Sequence, residues 1–235
     1  MENIVLRIKN GGSHRFRRLI LPIYYRNFKP KYGLNTDEIR KTKIIVFDVE
    51  TNGLKRNYSV LSCSAIKYEI DPITYSLTEI GRFNRYYYPV EPYEPSAIAV
   101  NGLTEEVLSR KRADADYPEH FHKDPDYEAF CSDTKRFVAH NISFDSRFVP
   151  HLKGKKKFCT MITNTDIVAA GYIKHKREWK RPKLSETATH YDIYYDDNDL
   201  HESMIDVEIT AKIFMAMLER AKNNASPLEH PIIAP

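Results

Sequence analysis

The chain has 235 residues, 42% of them hydrophobic and 12% aromatic, enough apolar material for a packed core, which excludes wholesale disorder. Charged residues make up 29% and the formal net charge is +4, ordinary values for a soluble protein. The length suits one medium domain, or one domain plus a small appendage, and no apolar run approaches a membrane span.

Residues 1–43 hold eleven Lys/Arg against three Asp/Glu, a local balance of +8, while the remainder nets −4. Ile20–Tyr25 is too short and holds a proline, so it does not read as a signal-peptide core. Pro30, Gly33 and Asn35 punctuate the next stretch, and residues 1–42 read as a basic arm or linker. Such an arm suits contact with a polyanion, or is a solvated leader.

Lys43–Thr51 reads as a strand buried on both faces, because Ile44-Ile45-Val46-Phe47 is an unbroken, β-branched apolar run. Tyr58–Ile70 and Glu79–Val90 are two more β-rich runs, and Asp71-Pro72-Ile73-Thr74 between them predicts a hairpin turn. Pro95–Arg110 reads as short helix and turn, Asp114–Lys123 as loop, and Pro125–Asp133 as a short helix. Arg136–His140 predicts a brief strand, Ser143–Phe148 a helix stopped by Pro150, and Lys157–Ile162 a further strand. Thr165–Tyr172 and Leu184–His190 read as short helices. The clearest helix lies within His201–Lys222, with Ile205, Ile209, Phe214, Met217 and Leu218 at helical spacing. From Asn223 the chain is a loose, proline-containing tail. This order of elements implies an α/β sheet flanked by helices.

Cys63, Cys131 and Cys159 are odd in number and irregular in spacing, so they form neither a disulfide framework nor a zinc site. A reducing, cytoplasmic setting is the expectation.

The chemistry is carried by carboxylates. Residues two apart on a strand share a face, so Asp48 and Glu50 in Phe47-Asp48-Val49-Glu50-Thr51 project side by side from an apolar strand. Two desolvated carboxylates repel unless a cation lies between them, and oxygen donors suit Mg²⁺ or Mn²⁺. A strand end meeting water also carries acids, so the pair alone leaves both readings open. Asp145, in His140-Asn141-Ile142-Ser143-Phe144-Asp145, read alone is a dipole partner at a helix start. In His201-Glu202-Ser203-Met204-Ile205-Asp206, a five-residue step separates His201 from Asp206 around a helix. The two converge only if His201 lies in the preceding loop and Ser203 is the N-cap; otherwise Asp206 merely completes a Ser-x-x-Asp cap.

Together these three ordered motifs resemble the DnaQ-like 3′→5′ exonuclease family, in the branch named for four acidic residues and a histidine. The resemblance spans about Lys43 to Lys222, which makes 43–222 the exonuclease domain, 1–42 an arm and 223–235 a tail. It implies an RNase H-like fold, a five-stranded mixed sheet flanked by helices. It also implies that Asp48, Glu50 and Asp206 bind the tighter of two divalent ions, that Asp48 and Asp145 contact the second, and that His201 is the general base. Thr51 and Gly53 would lie beside the terminal nucleotide, Leu54 and Phe144 would stack against terminal bases, and His140 and Asn141 would shape the strand entry.

The Thr51-Asn52-Gly53-Leu54 and His140-Asn141-x-x-Phe144-Asp145 forms look more like the epsilon-type members of DNA polymerase III than the short-RNA-degrading ones. The expected function is therefore release of nucleoside 5′-monophosphates from DNA 3′ ends, in proofreading or repair, with a DNA polymerase as a possible partner. An RNA 3′-end trimmer is the alternative, and a catalytically silent binding module the alternative of another class. The basic loops Lys153–Lys157 and Lys174–Lys183, the latter holding Trp179, either track phosphates and stack a base or are solvated. Tyr86-Tyr87-Tyr88 reads as packing, and Asp196, Asp197 and Asp199 as a solvated acidic loop.

Overall fold

The computed structural model describes residues 42–71, 74–196 and 202–223. The basic arm, the C-terminal tail, His201, Asp197 and Asp199 lie outside the described residues.

Strand β1 (Thr42–Thr51) is the centre of the sheet. It pairs antiparallel with β2 (Val60–Ile70), which pairs antiparallel with β3 (Leu77–Tyr86). The β2–β3 hairpin turns where expected: Asp71 accepts Thr74 N on its side chain at 2.7 Å and Tyr75 N on its carbonyl at 2.9 Å. Two short helices come next, α1 (Pro95–Asn101) and α2 (Glu105–Lys111). Gly102, at φ 66°, ends α1 in the left-handed region, and Thr104 caps α2 by accepting Val107 N. Helix α3 (Asp126–Cys131) leads into β4 (Arg136–Ala139), which runs parallel to β1.

After β4 the elements are shorter than the sequence suggested. Helix α4 (Ile142–Asp145) is a single turn, and Pro150 opens a 3₁₀ turn rather than closing a helix, since a first helical position needs no N–H. Strand β5 (Lys156–Cys159) matches the four residues of β4 and no more, so the chain turns into α5 (Thr160–Thr163) where strand was expected. Helix α6 (Thr165–Val168) ends at Ala169, φ 48°, well before Tyr172. The basic segment expected as a loop forms a small hairpin of β6 (Tyr172–Ile173) and β7 (Glu178–Trp179), with Tyr172 and Trp179 ring centroids 5.2 Å apart. Helix α7 (Leu184–His190) falls as predicted, and α8 (Ser203–Asn223) is the long terminal helix.

The main sheet has the order β3-β2-β1-β4-β5, a five-stranded mixed sheet. Alternation along β1 divides the core. Ile44 and Val46 face a cluster with Val207, Ile213, Phe214 and Leu218 of α8. Ile45, Phe47 and Val49 face the other side, with Tyr87, Tyr127 and Phe137. Tyr86 and Tyr87 are buried, as packing residues. No helix among the described residues is long and apolar enough to cross a membrane.

Candidate active site

Asp48 and Glu50 continue the Ile44–Val46 face of β1 toward α8, and Asp206 sits on the first turns of that helix. One carboxylate oxygen from each of Asp48, Glu50 and Asp206 lies within 4.8 Å of the other two. Because β4 is parallel to β1, the helical turn after β4 arrives at the same end of the sheet. There Asp145, 3% exposed, accepts the Val49 amide at 3.4 Å. Sequence motifs about a hundred and fifty residues apart thus meet at one strand end.

The electrostatics arise from crowding. Burial, then the charges of Asp145, Glu50 and Asp206, push the Asp48 carboxyl well above its usual range. Glu50 is raised to about 8 by burial and by Asp206 and Asp145, against a hydrogen bond from Asn101. Asp145 is raised to about 7 by burial, against its own amide, that of Val49, and Arg147. Asp48 Oδ2 has no hydrogen-bond partner among the described residues. An all-oxygen, desolvated and mutually repelling donor set fits a hard divalent cation, with Asp48, Glu50 and Asp206 as the residues that would hold it.

Ser203 corrects the sequence reading. It is the first residue of α8, not the cap, and the carbonyl of Glu202 accepts Ile205 N at 2.8 Å and Asp206 N at 3.1 Å. Its hydroxyl is instead 3.0 Å from Ser62 Oγ and 2.6 Å from Ser64 Oγ on β2. Ser64 donates onward to Asn84 Oδ1 at 2.9 Å, so the chain runs Ser62 to Ser203 to Ser64 to Asn84. Ser62 and Ser64 are the cross-strand partners of Glu50 and Asp48, so this chain fixes α8 beside the carboxylates. Glu202 is gripped in turn by Lys111 Nζ at 2.6 Å and Tyr86 OH at 3.3 Å. Sequence reasoning passed over these residues, although Ser62 and Ser64, alternating within an apolar strand, were a legible signal.

The other expected site residues surround this end of the sheet. Thr51 is buried and donates to Gly53 O at 2.8 Å, while Leu54 is 77% exposed. A β-carbon on Gly53 would lie 3.0 Å from the Tyr58 ring, so a larger residue there would have to push that ring aside. Phe144 packs on Phe148, centroids 5.1 Å apart. Asn141 is exposed and accepts Ser143 Oγ at 3.1 Å. His140 bridges Thr160 Oγ1 at 3.0 Å and the Pro182 carbonyl at 3.1 Å. The carbonyl can only accept, so Nε2 carries the proton, and burial pushes the imidazole below its usual pKa.

A helix-flanked mixed sheet with acids gathered at the end of its central strand is an RNase H-like nuclease architecture. The sequence profile of the RNase T-type family described as Exonuclease matches residues 45–214, and the chain belongs to that family, as a DnaQ-like exonuclease. It is 28% identical over 185 residues to DNA polymerase III subunit epsilon of Salmonella typhimurium, covering 75% of this chain and 71% of that one. It is 29% identical over 178 residues to the PolC-type DNA polymerase III of Bacillus cereus, covering 74% of this chain but 11% of that one. Among solved structures, Exonuclease X in complex with 5′ overhanging duplex DNA aligns with a TM-score of 0.52 at 19% identity, over 81% of this chain and 98% of that one.

Glu50 and Asp145 titrate near 8 and 7 in the fold but near 4 when unfolded, so the metal-free fold retains protons that the unfolded chain releases. Stability in EDTA is then greatest below about pH 4.5 for these groups and is lost as pH rises toward 8; the melting temperature drops by about 5 °C or more between pH 5 and 8. Saturating Mn²⁺ or Glu50→Gln flattens that slope, and a flat EDTA profile in the native chain would refute the crowding. Ser203→Ala leaves buried hydroxyls unmatched and costs about 1–3 kcal/mol in urea unfolding. It also raises the Mn²⁺ concentration for half-maximal thermal stabilisation severalfold; an unchanged metal titration would reduce Ser203 to a packing role.

Proposed function

We propose that this chain is a 3′→5′ exonuclease that releases nucleoside 5′-monophosphates from DNA 3′ ends with two Mg²⁺ or Mn²⁺ ions, in replication proofreading or repair. The observation that carries this reading is the meeting of Asp48, Glu50 and Asp206 within 4.8 Å, with Asp145 buried against the same strand. Asp48, Glu50 and Asp206 would hold one ion, and Asp48 with Asp145 the other. Bound divalent ions supply Lewis acidity, which eases ionisation of water and stabilises the departing 3′ oxygen.

The chain's own residues do the rest. His201 accepts the proton of the attacking water, a task suited to an imidazole of intrinsic pKa about 6.5. The next residue in the sequence, Glu202, has its carboxylate held by Lys111 and Tyr86. Leu54 and Phe144 meet the terminal bases. The Thr51–Gly53 turn, closed by its own hydrogen bond, offers backbone to the last nucleotide. His140 and Asn141 shape the entry, His140 by tying the end of β4 to Pro182. The likeness to a polymerase III epsilon subunit supports DNA as substrate and a polymerase as partner.

The test is digestion of matched 5′-labelled single-stranded DNA and RNA with Mg²⁺, Mn²⁺ or EDTA. The expected result is a DNA ladder shortening from the 3′ end, slower RNA loss and no reaction in EDTA. Faster RNA loss would move the assignment to RNA trimming, and metal binding without nucleotide release would leave a binding module. Asp48→Ala and Asp206→Ala reduce hydrolysis to background while the melting temperature in EDTA holds or rises, because repulsion is relieved. His201→Ala lowers kcat by roughly 10²–10⁴-fold, with KM nearly constant; an equal loss in both would make His201 a binding residue.

A further inference from the structure

Asn101 closes helix α1, and Gly102 after it, at φ 66°, turns the chain back. An Asn-Gly pair at a helix end is ordinary turn chemistry, and half of this side chain serves it: Oδ1 accepts Leu103 N at 3.1 Å. That bond fixes which way the amide points, because the Leu103 N–H can only donate. Nδ2 therefore faces away from its own turn, and it donates to the carbonyl of Thr51 at 3.1 Å, 50 residues earlier in the chain. Asn101 is buried, so both bonds are made out of water.

The Thr51 bond falls at a weak point of the sheet. β1 and β2 pair in step as far as Glu50 opposite Ser62, and then the register slips, so that Thr51 lies opposite Val60 rather than Leu61. Such a slip leaves one residue without a partner and bends the strand. It comes directly after Glu50, so the direction of that carboxylate is set by whatever holds the next peptide. The turn beyond is fastened separately: Asn52 donates to Glu91 Oε1 and to the Pro92 carbonyl, each at 2.9 Å, and accepts Glu94 N at 3.0 Å. Between that turn and the regular ladder, the Thr51 carbonyl is held by Asn101.

We infer that Asn101 is a positioning residue for Glu50, holding the strand at its slip so that the carboxylate keeps the direction a divalent cation needs. This rests on the reading of Asp48, Glu50 and Asp206 as cation ligands given above. The same amide also donates to the Glu50 carboxylate, against the rise in its pKa that burial, Asp206 and Asp145 cause. The chemistry of the side chain suits the place. A lysine or arginine there would neutralise the acids, and an ionised carboxylate would repel them and could not donate to Thr51. An amide gives N–H groups to a carbonyl and to a carboxylate while leaving the charge of the cluster intact. Groups one step removed from a metal's ligands govern its affinity in this way.

The test uses the full chain with Asn101→Ala and, as a control, Gly102→Ala. A β-carbon on Gly102 meets nothing within 4 Å but is strained at positive φ, so the control disturbs the same turn and leaves the Asn101 amide in place. Should Asn101→Ala fold poorly, Asn101→Ser replaces it, because a serine hydroxyl can still accept Leu103 N but is too short to reach Thr51. Free Mn²⁺ read by electron paramagnetic resonance gives equilibrium binding without turnover, and melting in EDTA gives the cost of each substitution to the fold. Both variants are expected to melt lower in EDTA. Asn101→Ala raises the Mn²⁺ Kd about tenfold, and Gly102→Ala keeps it within about twofold of the native chain. An unchanged Kd in Asn101→Ala, or equal losses in the two variants, would reduce Asn101 to a turn residue. A native chain that binds no Mn²⁺ would overturn the positioning role together with the cation assignment. If the native chain binds Mn²⁺ but releases no nucleotide, the exonuclease reading fails instead, and the comparison of Mn²⁺ affinities still decides Asn101.

Discussion

The site depends on one unfavourable contact: carboxylates pressed together at the end of a buried strand. Nothing in the cluster itself holds Asp48, Glu50 and Asp206 within 4.8 Å of one another. The apolar face behind them does. Ile44 and Val46 pack on Val207, Ile213 and Phe214, and the same period-two face of β1 then delivers Asp48 and Glu50. Docking of α8 on that face brings Asp206 with it. Hydrophobic burial along one helix thus sustains repulsion at its first turn, which is how strain is kept at a functional site.

Apolar packing alone is non-directional and would leave α8 free to slide along the sheet by fractions of an ångström. The hydroxyl chain from Ser62 through Ser203 and Ser64 to Asn84 removes that freedom. It joins the helix to the two residues that face Glu50 and Asp48 across the strand pair. Glu202, fixed by Lys111 and Tyr86, adds a second point of attachment one residue earlier. A position set by hydrogen bonds is more exacting than one set by oily contact, and a cation-binding geometry needs that exactness.

How much was legible depended on range. β1, the β2–β3 hairpin, α7 and α8 carry their periodicity within ten or more residues or between clear breakers, and the sequence predicted them. Asp48 and Glu50 were readable as a pair because their meeting needs only a strand. Asp145 and Asp206 each had an ordinary structural reading, and only the ordered triple resemblance gathered them. Four-residue elements such as β5 and α4 give too short a pattern to separate strand from turn. Ser203 was misread because its partners lie about 140 residues away, where local capping rules do not reach. Lys153 was legible as part of a basic loop, whereas Arg56 and Arg147, isolated in the sequence, carried no local signal.

The placement of opposite charges completes the argument. Acids occupy the α8 side of β1, whereas Arg56, Lys153 and Lys157 line a cleft floored by Val60, Phe121 and Phe148, which belong to the core on the other side. Cations inside the carboxylate cluster would neutralise it and draw its raised pKa values back to the ordinary range, removing the reason for a divalent ion to bind. Only Arg147 reaches far enough to bias Asp145 downward, and burial outweighs it. Keeping Arg56, Lys153 and Lys157 outside the cluster therefore leaves its negative field undiminished.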